Sequence, residues 1–239
     1  MKYVRKFVKP AILCLCVVVV GYAFITMQGR RNTVRYEDHK QDVVATIDGK
    51  DMLFEDLAFY ILYEERIVEE QARIYNPDST KDYWNMYRNE TFIQKEVKDV
   101  ILNMAIHDWI MYDLAVQDNM DTLSEKENQY LEYTRIDFWE DLLDIQRQRL
   151  PASEETINSQ MDKAAVAEKY QNYLGITQGP SVAAYKYDGY NYEQMLESHS
   201  IVINDDLWER FVVGDISLYH EKANFINGLT DEEKKEDKE

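Results

Sequence analysis

TFIQKEVKDVILNMAIHDWIMYDLAVQDNMDTLSEKE, residues 91–127, decides the architecture. Apolar side chains fall at Ile93, Val97, Val100, Ile101, Met104, Ala105, Met111, Leu114 and Ala115. Steps of three and four put them on one face of a helix, so the stretch reads as a long helix with a buried stripe. The stripe stops at Ala115 and Val116, and a polar run, residues 117–121, follows. Ser124 then stands three residues before Glu127. In this capping-box pattern each side chain satisfies a free backbone amide of the other residue, and a new helix starts. The expectation is a long helix, a corner and a second helix, with the rest of the chain packed around the corner.

Toward the N-terminus, the aromatic segment DYWNMYRNE, residues 82–90, brings Tyr83, Trp84 and Tyr87. Before it, Leu57, Tyr60, Ile61, Ile67, Val68 and Ile74 keep helical spacing until Asn76-Pro77 ends the run. Glu55 and Asp56 sit where a helix dipole favours acids. Val43-Val44-Ala45-Thr46-Ile47 is rich in branched residues and reads as a strand. Asp48-Gly49 suits a tight hairpin turn, because glycine accepts positive φ, and Met52-Leu53-Phe54 returns as a short strand. Residues 32–42 are polar and read as a linker.

At the extreme N-terminus, Lys2, Arg5, Lys6 and Lys9 precede an apolar run, residues 11–27. Its 17 residues meet the lower limit of a membrane span, roughly 17–25. A cleaved signal peptide is the alternative, with Gly21-Tyr22-Ala23 as its cleavage site. Continuation through Phe24, Ile25 and Met27 favours an uncleaved single-pass anchor in the cell membrane. The basic end would then stay cytoplasmic and the body would lie outside. Cys14 and Cys16 lack a lipoprotein context.

Beyond the corner, a helix over residues 125 to about 148 is expected through Leu131, Thr134, Phe138, Leu142 and Ile145, with Pro151 breaking it. Ser153 caps another helix through Ile157, Met161, Ala164, Ala165, Tyr170 and Leu174, which Gly175 ends. Gly179-Pro180 marks a loop. Asp188-Gly189 makes either a second hairpin or a lead into a helix near Glu193. Ile201–Ile203 reads as a strand and residues 207–211 as a helical turn. The boundaries are 1–31 anchor, 32–42 linker, 43–175 helical domain, 176–228 extension with strands, and 229–239 a solvated charged tail.

Apolar residues make up 45%, enough for a core. Lys and Arg number 27 against 45 Asp and Glu, a net charge of −18. The first 35 residues hold seven of the cations and no acid, which leaves the remainder at −25. Such a body repels phosphate backbones, so no nucleic-acid partner is expected. The body has no cysteine, which removes disulfides, thiol nucleophiles and Cys-based zinc sites and suits an exported bacterial protein.

The segment Val44-Ala45-Thr46-Ile47-Asp48-Gly49, with Leu53 and Glu55-Asp56-Leu57 behind it, resembles the opening of the SurA/PrsA-type extracytoplasmic chaperones. Their signature is roughly V-A-x-V-N/D-G-x-x-I/L-x-x-x-D/E-L. The stretch Val100-Ile101, Ile110-Met111, Ala115, Met120, Leu123-Ser124-Glu125 and Glu127 is similar to that family's helix, turn and glutamate-rich helix start. Asn119 stands where the family often has glycine. AVAEKYQNYL, residues 165–174, looks like the final helix of such a domain. The resemblance covers residues 43–174. It implies a mainly α fold, a SurA N-terminal-like helical domain with a small β-hairpin near its start, and binding of unfolded or newly exported polypeptides. Many members add a parvulin-type prolyl isomerase domain. Ser198-His199-Ser200-Ile201-Val202-Ile203 echoes its opening, but 40 residues follow His199, fewer than such a domain spans, and no Gly-Gly-Asp-Leu-Gly occurs.

His39, His107, His199 and His220 show no metal-ligand spacing, and His107 reads as a partly exposed helix residue. Serine nucleophile contexts and phosphate-binding glycine loops are absent as motifs, so no catalytic residue, metal or cofactor is assigned. The 18 tyrosines and four tryptophans are the excess to explain. Tyr83, Trp84, Tyr87, Tyr130, Tyr133 and Trp139 fall near helix ends or on mixed faces. Either they line a groove for an extended client, or they fill a small helical core. A membrane-anchored chaperone-like protein acting without catalysis is the expected function. A parvulin-type isomerase with a degenerate catalytic region and an envelope scaffold are the alternatives. The absence of alternating strands and helices disfavours a solute-binding protein.

Overall fold

The computed structural model describes Val34, residues 36–88 and 90–214, and the pairs 223–224 and 229–230. Among these residues no helix is long and apolar enough to cross a membrane. The expected anchor, residues 11–27, lies outside them. The described chain is mainly helical, with a small β-hairpin near its start.

A helical turn, α1 (Tyr36–His39), leads into β1 (Val43–Ile47) and β2 (Lys50–Leu53). The two strands pair antiparallel, with Ile47 opposite Lys50. Asp48 and Gly49 both take positive φ, 50° and 79°, as a tight hairpin turn with right-handed strand twist requires. A third strand, β5 (Ile201–Ile203), returns from the C-terminal region and pairs antiparallel with β1 on its other edge, giving the order β2-β1-β5. Of the residues assigned to a linker, Val34 and Tyr36 are docked. Val34 and Tyr36 are buried, Tyr36 stacks on Phe54 at 4.8 Å, and its hydroxyl donates to the Phe54 carbonyl. Two apolar side chains in a polar run found an aromatic nest made by Phe54, Trp208 and Phe211.

A 3-10 turn, Phe54–Leu57, feeds α2 (Ala58–Tyr75). Tyr60, Ile61, Leu62 and Val68 of α2 go to the core, while Ile74 is exposed at its end. The aromatic segment forms α3 (Thr80–Trp84) and a two-residue ribbon, β3 (Tyr87–Arg88) with β4 (Thr91–Phe92). The long helix α4 (Ile93–Gln117) follows.

Its end has the predicted geometry. Asn119 lies in the left-handed region at φ 57°. Its amide donates to Val116 O, and the Met120 amide reaches back to Ala115 O at 2.7 Å. This Schellman arrangement satisfies carbonyls that the helix end leaves without partners. Ser124 and Glu127 then form the capping box of α5 (Glu125–Asp141), with Ser124 N donating to Glu127 Oε2 at 2.6 Å.

The expected continuous helix to residue 148 breaks at Leu142, whose ψ of 139° is extended. A short helix, α6 (Asp144–Gln148), restarts there. Gln146 explains the break. Its side chain is fully buried, accepts from Leu143 N and donates to Leu62 O, which turns the segment toward α2. Ser153 caps α7 (Glu154–Thr177) as expected. Gly175 does not end that helix. A β-carbon there would lie 2.4 Å from the Val182 Cα, so glycine lets the chain pass close.

After α7, a 3-10 turn (Val182–Tyr185) precedes α8 (Tyr190–Leu196), β5 and α9 (Asp205–Arg210). Asp188-Gly189 therefore leads into a helix and makes no hairpin. Leu229–Thr230 pairs as a strand with Ala223–Asn224, so the residues assigned to the tail begin within a strand. The extension completes the core. Leu207, Trp208, Phe211 and Val213 join the cluster under the sheet, and Tyr185 and Tyr192 join a second cluster with Met111, Ala115, Val166 and Leu174.

Candidate functional site

Two places combine chemistry with an unusual environment. The first is a buried polar relay between α2, α4 and the C-terminal extension. His107 is 4% exposed, not partly exposed as its sequence context suggests. Its Nδ1 lies 2.8 Å from Asp108 Oδ1 and its Nε2 2.8 Å from the Tyr185 carbonyl. The other Asp108 oxygen accepts from Tyr60 Oη at 2.9 Å, and Tyr192 packs edge-on against the imidazole at 4.8 Å. A carbonyl only accepts, so the Nε2–H of His107 donates to Tyr185 O. Burial, then the Asp108 charge, pushes the Tyr60 phenol well up, and burial does the same for Tyr192. The imidazole is buried with both ring nitrogens engaged, so the ring offers no free nitrogen to a substrate. Its geometry suits holding the extension against α4.

The second place is the outer face of α5. This helix buries Leu131 and Phe138 and little else. Tyr130, Tyr133 and Ile136 follow at steps of three on the opposite side and are 66%, 58% and 51% exposed. Asp137 and Glu140, also exposed, share that side by helical spacing. Gln129 donates to the Tyr133 hydroxyl.

The other aromatic candidates lie elsewhere. Trp84 is fully buried, with Nε1 donating to Glu69 Oε2 at 2.8 Å, so it belongs to the core and not to a client surface. Tyr83 is nearly buried and donates to Gln71. Tyr87 is exposed beside Phe92, with ring centres 5.1 Å apart. Trp139 is half-buried and donates to Asn158. With Trp84 fully buried and Tyr83 nearly so, the six do not all line one open groove. His199 sits at the hairpin, where its Nδ1 meets Asp48 Oδ2 at 2.6 Å and Asp48 Oδ1 accepts from Ser200 N. It locks the turn to β5.

Sequence reasoning passed over Ile136, whose helical position lies outside the apolar stripe, and the buried acids Glu65 and Glu69. These acids stand four apart on α2, and Glu65 accepts from the Gly214 amide at 2.6 Å while Glu69 accepts from Trp84. Two glutamates at that spacing on an otherwise apolar face were the available signal. An open cleft of about 260 Å³ lies between α4 and α9, lined by Gln94, Lys95, Lys98, Trp208 and Phe211. Lys98 Nζ sits 5.3 Å over the Trp208 ring, and burial draws its pKa down. Asp99 and Glu209 share the walls, so the cleft favours neither sign of charge. Among the described residues no group of three or more His, Cys, Asp or Glu could hold a metal ion. No protein-family model, curated protein or solved structure matches this chain.

Proposed function

We propose that this protein is a chaperone-like factor that holds unfolded or newly exported polypeptides outside the membrane, anchored through residues 11–27 and acting without covalent chemistry. The observation that carries the reading is the outer face of α5. Three large apolar or aromatic side chains stand in solvent on a helix that follows the Asn119 corner, while the core behind it is complete. Flat amphipathic side chains give contact area at little entropic cost, which suits transient capture of exposed apolar segments. The SurA/PrsA-like order of hairpin, long helix, corner and capped helix supports the same reading. Binding would be weak and broad, because ordering an extended client offsets most of the gain.

The test is aggregation of several unrelated denatured proteins in the presence of the purified full-length chain held in nanodiscs. Suppression across all of them is expected, with about a tenfold loss of potency in the double variant Tyr130→Ala, Tyr133→Ala, the scale of a strong interface anchor. Suppression of none would overturn the reading in favour of a scaffold with one dedicated partner. Undiminished suppression by the double variant would overturn the assignment to α5.

A further inference from the structure

We infer that the outer face of α5 selects basic client segments, extended stretches in which lysine or arginine alternates with apolar residues. This rests on the polypeptide-binding reading above and names its client class. The face presents Tyr130, Tyr133 and Ile136 together with Asp137 and Glu140. Neither of those two carboxylates has an ion-pair partner among the described residues. Of the other charges on this helix, Glu125 and Lys126 stand exposed in its first turn, and most of the rest are engaged. Arg135 is held by Glu132 and by Asp162 of α7, and Asp141 holds Arg66 of α2. Glu127 closes the capping box. Between Tyr130 and Glu140 the face is aromatic with two unpaired carboxylates, and Lys126 one turn before Tyr130 and Arg147 on the Glu140 carbonyl are the cations near its two ends.

A cation fits it twice. It is attracted to the faces of the two tyrosines and to the adjacent carboxylates. From Tyr130 to Glu140 the helix rises about 15 Å, the length of four or five extended residues. An alternating segment of that length places apolar side chains on Ile136 and the rings and directs its cations toward Asp137 and Glu140. An acidic segment meets like charge there, and the chain's net charge of −18 adds to the repulsion. Selection of this kind is electrostatic, so it weakens as salt shortens the screening length.

The test uses three fluorescein-labelled peptides with the same apolar residues and lysine, serine or glutamate between them. Their binding to the full-length chain in zwitterionic nanodiscs is read by fluorescence anisotropy. The lysine peptide is expected to bind about tenfold more tightly than the serine peptide at low salt, as two or three weak charge contacts allow. The glutamate peptide should bind least. In Asp137→Asn, Glu140→Gln the preference should fall to about twofold, with the thermal midpoint unchanged because both side chains are exposed. Equal affinities for the lysine and serine peptides, with both lost in Tyr130→Ala, Tyr133→Ala, would overturn the basic-client inference and leave the polypeptide-binding reading standing. A lysine preference undiminished by the neutralised acids would also overturn it. Failure to bind any peptide, together with failure to suppress aggregation, would overturn both.

Discussion

The two helices that meet at Asn119 put their surfaces to different uses. Helix α4 buries ten of its residues, from Ile93 to Ala115. Helix α5 buries Leu131 and Phe138 and shows two tyrosines and an isoleucine to water. Burial of apolar area stabilises the fold, whereas apolar area left in water does not. The exposed side chains of α5 therefore contribute little to the fold, whereas those of α4 hold it together. The contrast locates stability in α4 and, on the proposed function, leaves the exposed face of α5 to a client.

The largest effect should come from exchanging their roles at single positions. Ile101 of α4 is fully buried, and Ile101→Ala is expected to cost about 2–5 kcal/mol, through lost transfer energy and the cavity left behind. Tyr133→Ala on α5 should change stability by no more than about 0.5 kcal/mol. Urea unfolding of both variants checks the pair. A Tyr133→Ala cost near that of Ile101→Ala would erase the distinction and make the α5 aromatics structural.

Next in size is the buried relay, which ties α4 to the C-terminal extension and has no counterpart on α5. His107→Leu removes the ring and leaves the Tyr185 carbonyl and the Asp108 carboxylate without it. Each buried group deprived of its partner costs about 1–3 kcal/mol. The expected sign is selective: amide protection in residues 182–196 should fall before that of α4 itself. Uniform loss along the chain would mean that the extension is held elsewhere, for example by β5 on β1.

The same contrast explains how much could be read from the sequence. The Asp48-Gly49 turn, the Asn119 corner and the Ser124–Glu127 box were legible because each is decided within a few residues by backbone conformation and local hydrogen bonds. The tyrosines of α5 were legible as candidates, and Tyr130 and Tyr133 are where a client could reach them. Trp84 was not separable from them, since its burial depends on Glu69, 15 residues away. His107 was misread for a related reason. Its second partner lies 78 residues on, in a segment whose path no periodicity reveals. Val34 and Tyr36 looked like linker because their neighbours are polar, and Phe54 together with the distant Phe211 and Trp208 makes a place for them. Gly175 was read as a helix stop, when its role is to admit the Val182 backbone. Local chemistry set the turns, and long-range packing set which side chains they carried inside.

The smallest expected effect concerns how each helix is started. Helix α4 begins at Phe92 without a side-chain cap and relies on its packed stripe. Helix α5, with little burial, relies on its capping box. The Ser124 amide holds the Glu127 carboxyl below the ordinary carboxylate range, with the Ser124 side chain adding to the effect. A carboxyl whose pKa is lower folded than unfolded gives stability that is fully present above the unfolded value and is lost as pH falls through the folded one. Acidification below the carboxylate range should therefore fray the first turn of α5 while α4 stays protected. The Asp48 carboxyl, lowered chiefly by its hydrogen bond from His199, should loosen the hairpin in the same direction. Amide protection compared between neutral pH and about pH 3 reads both, and Glu127→Gln should remove the pH dependence from α5 alone. Ser124→Ala should reproduce the fraying at neutral pH at a cost of about 1 kcal/mol. If α4 and α5 frayed together on acidification, the difference between a helix held by its core and a helix held by its cap would not stand.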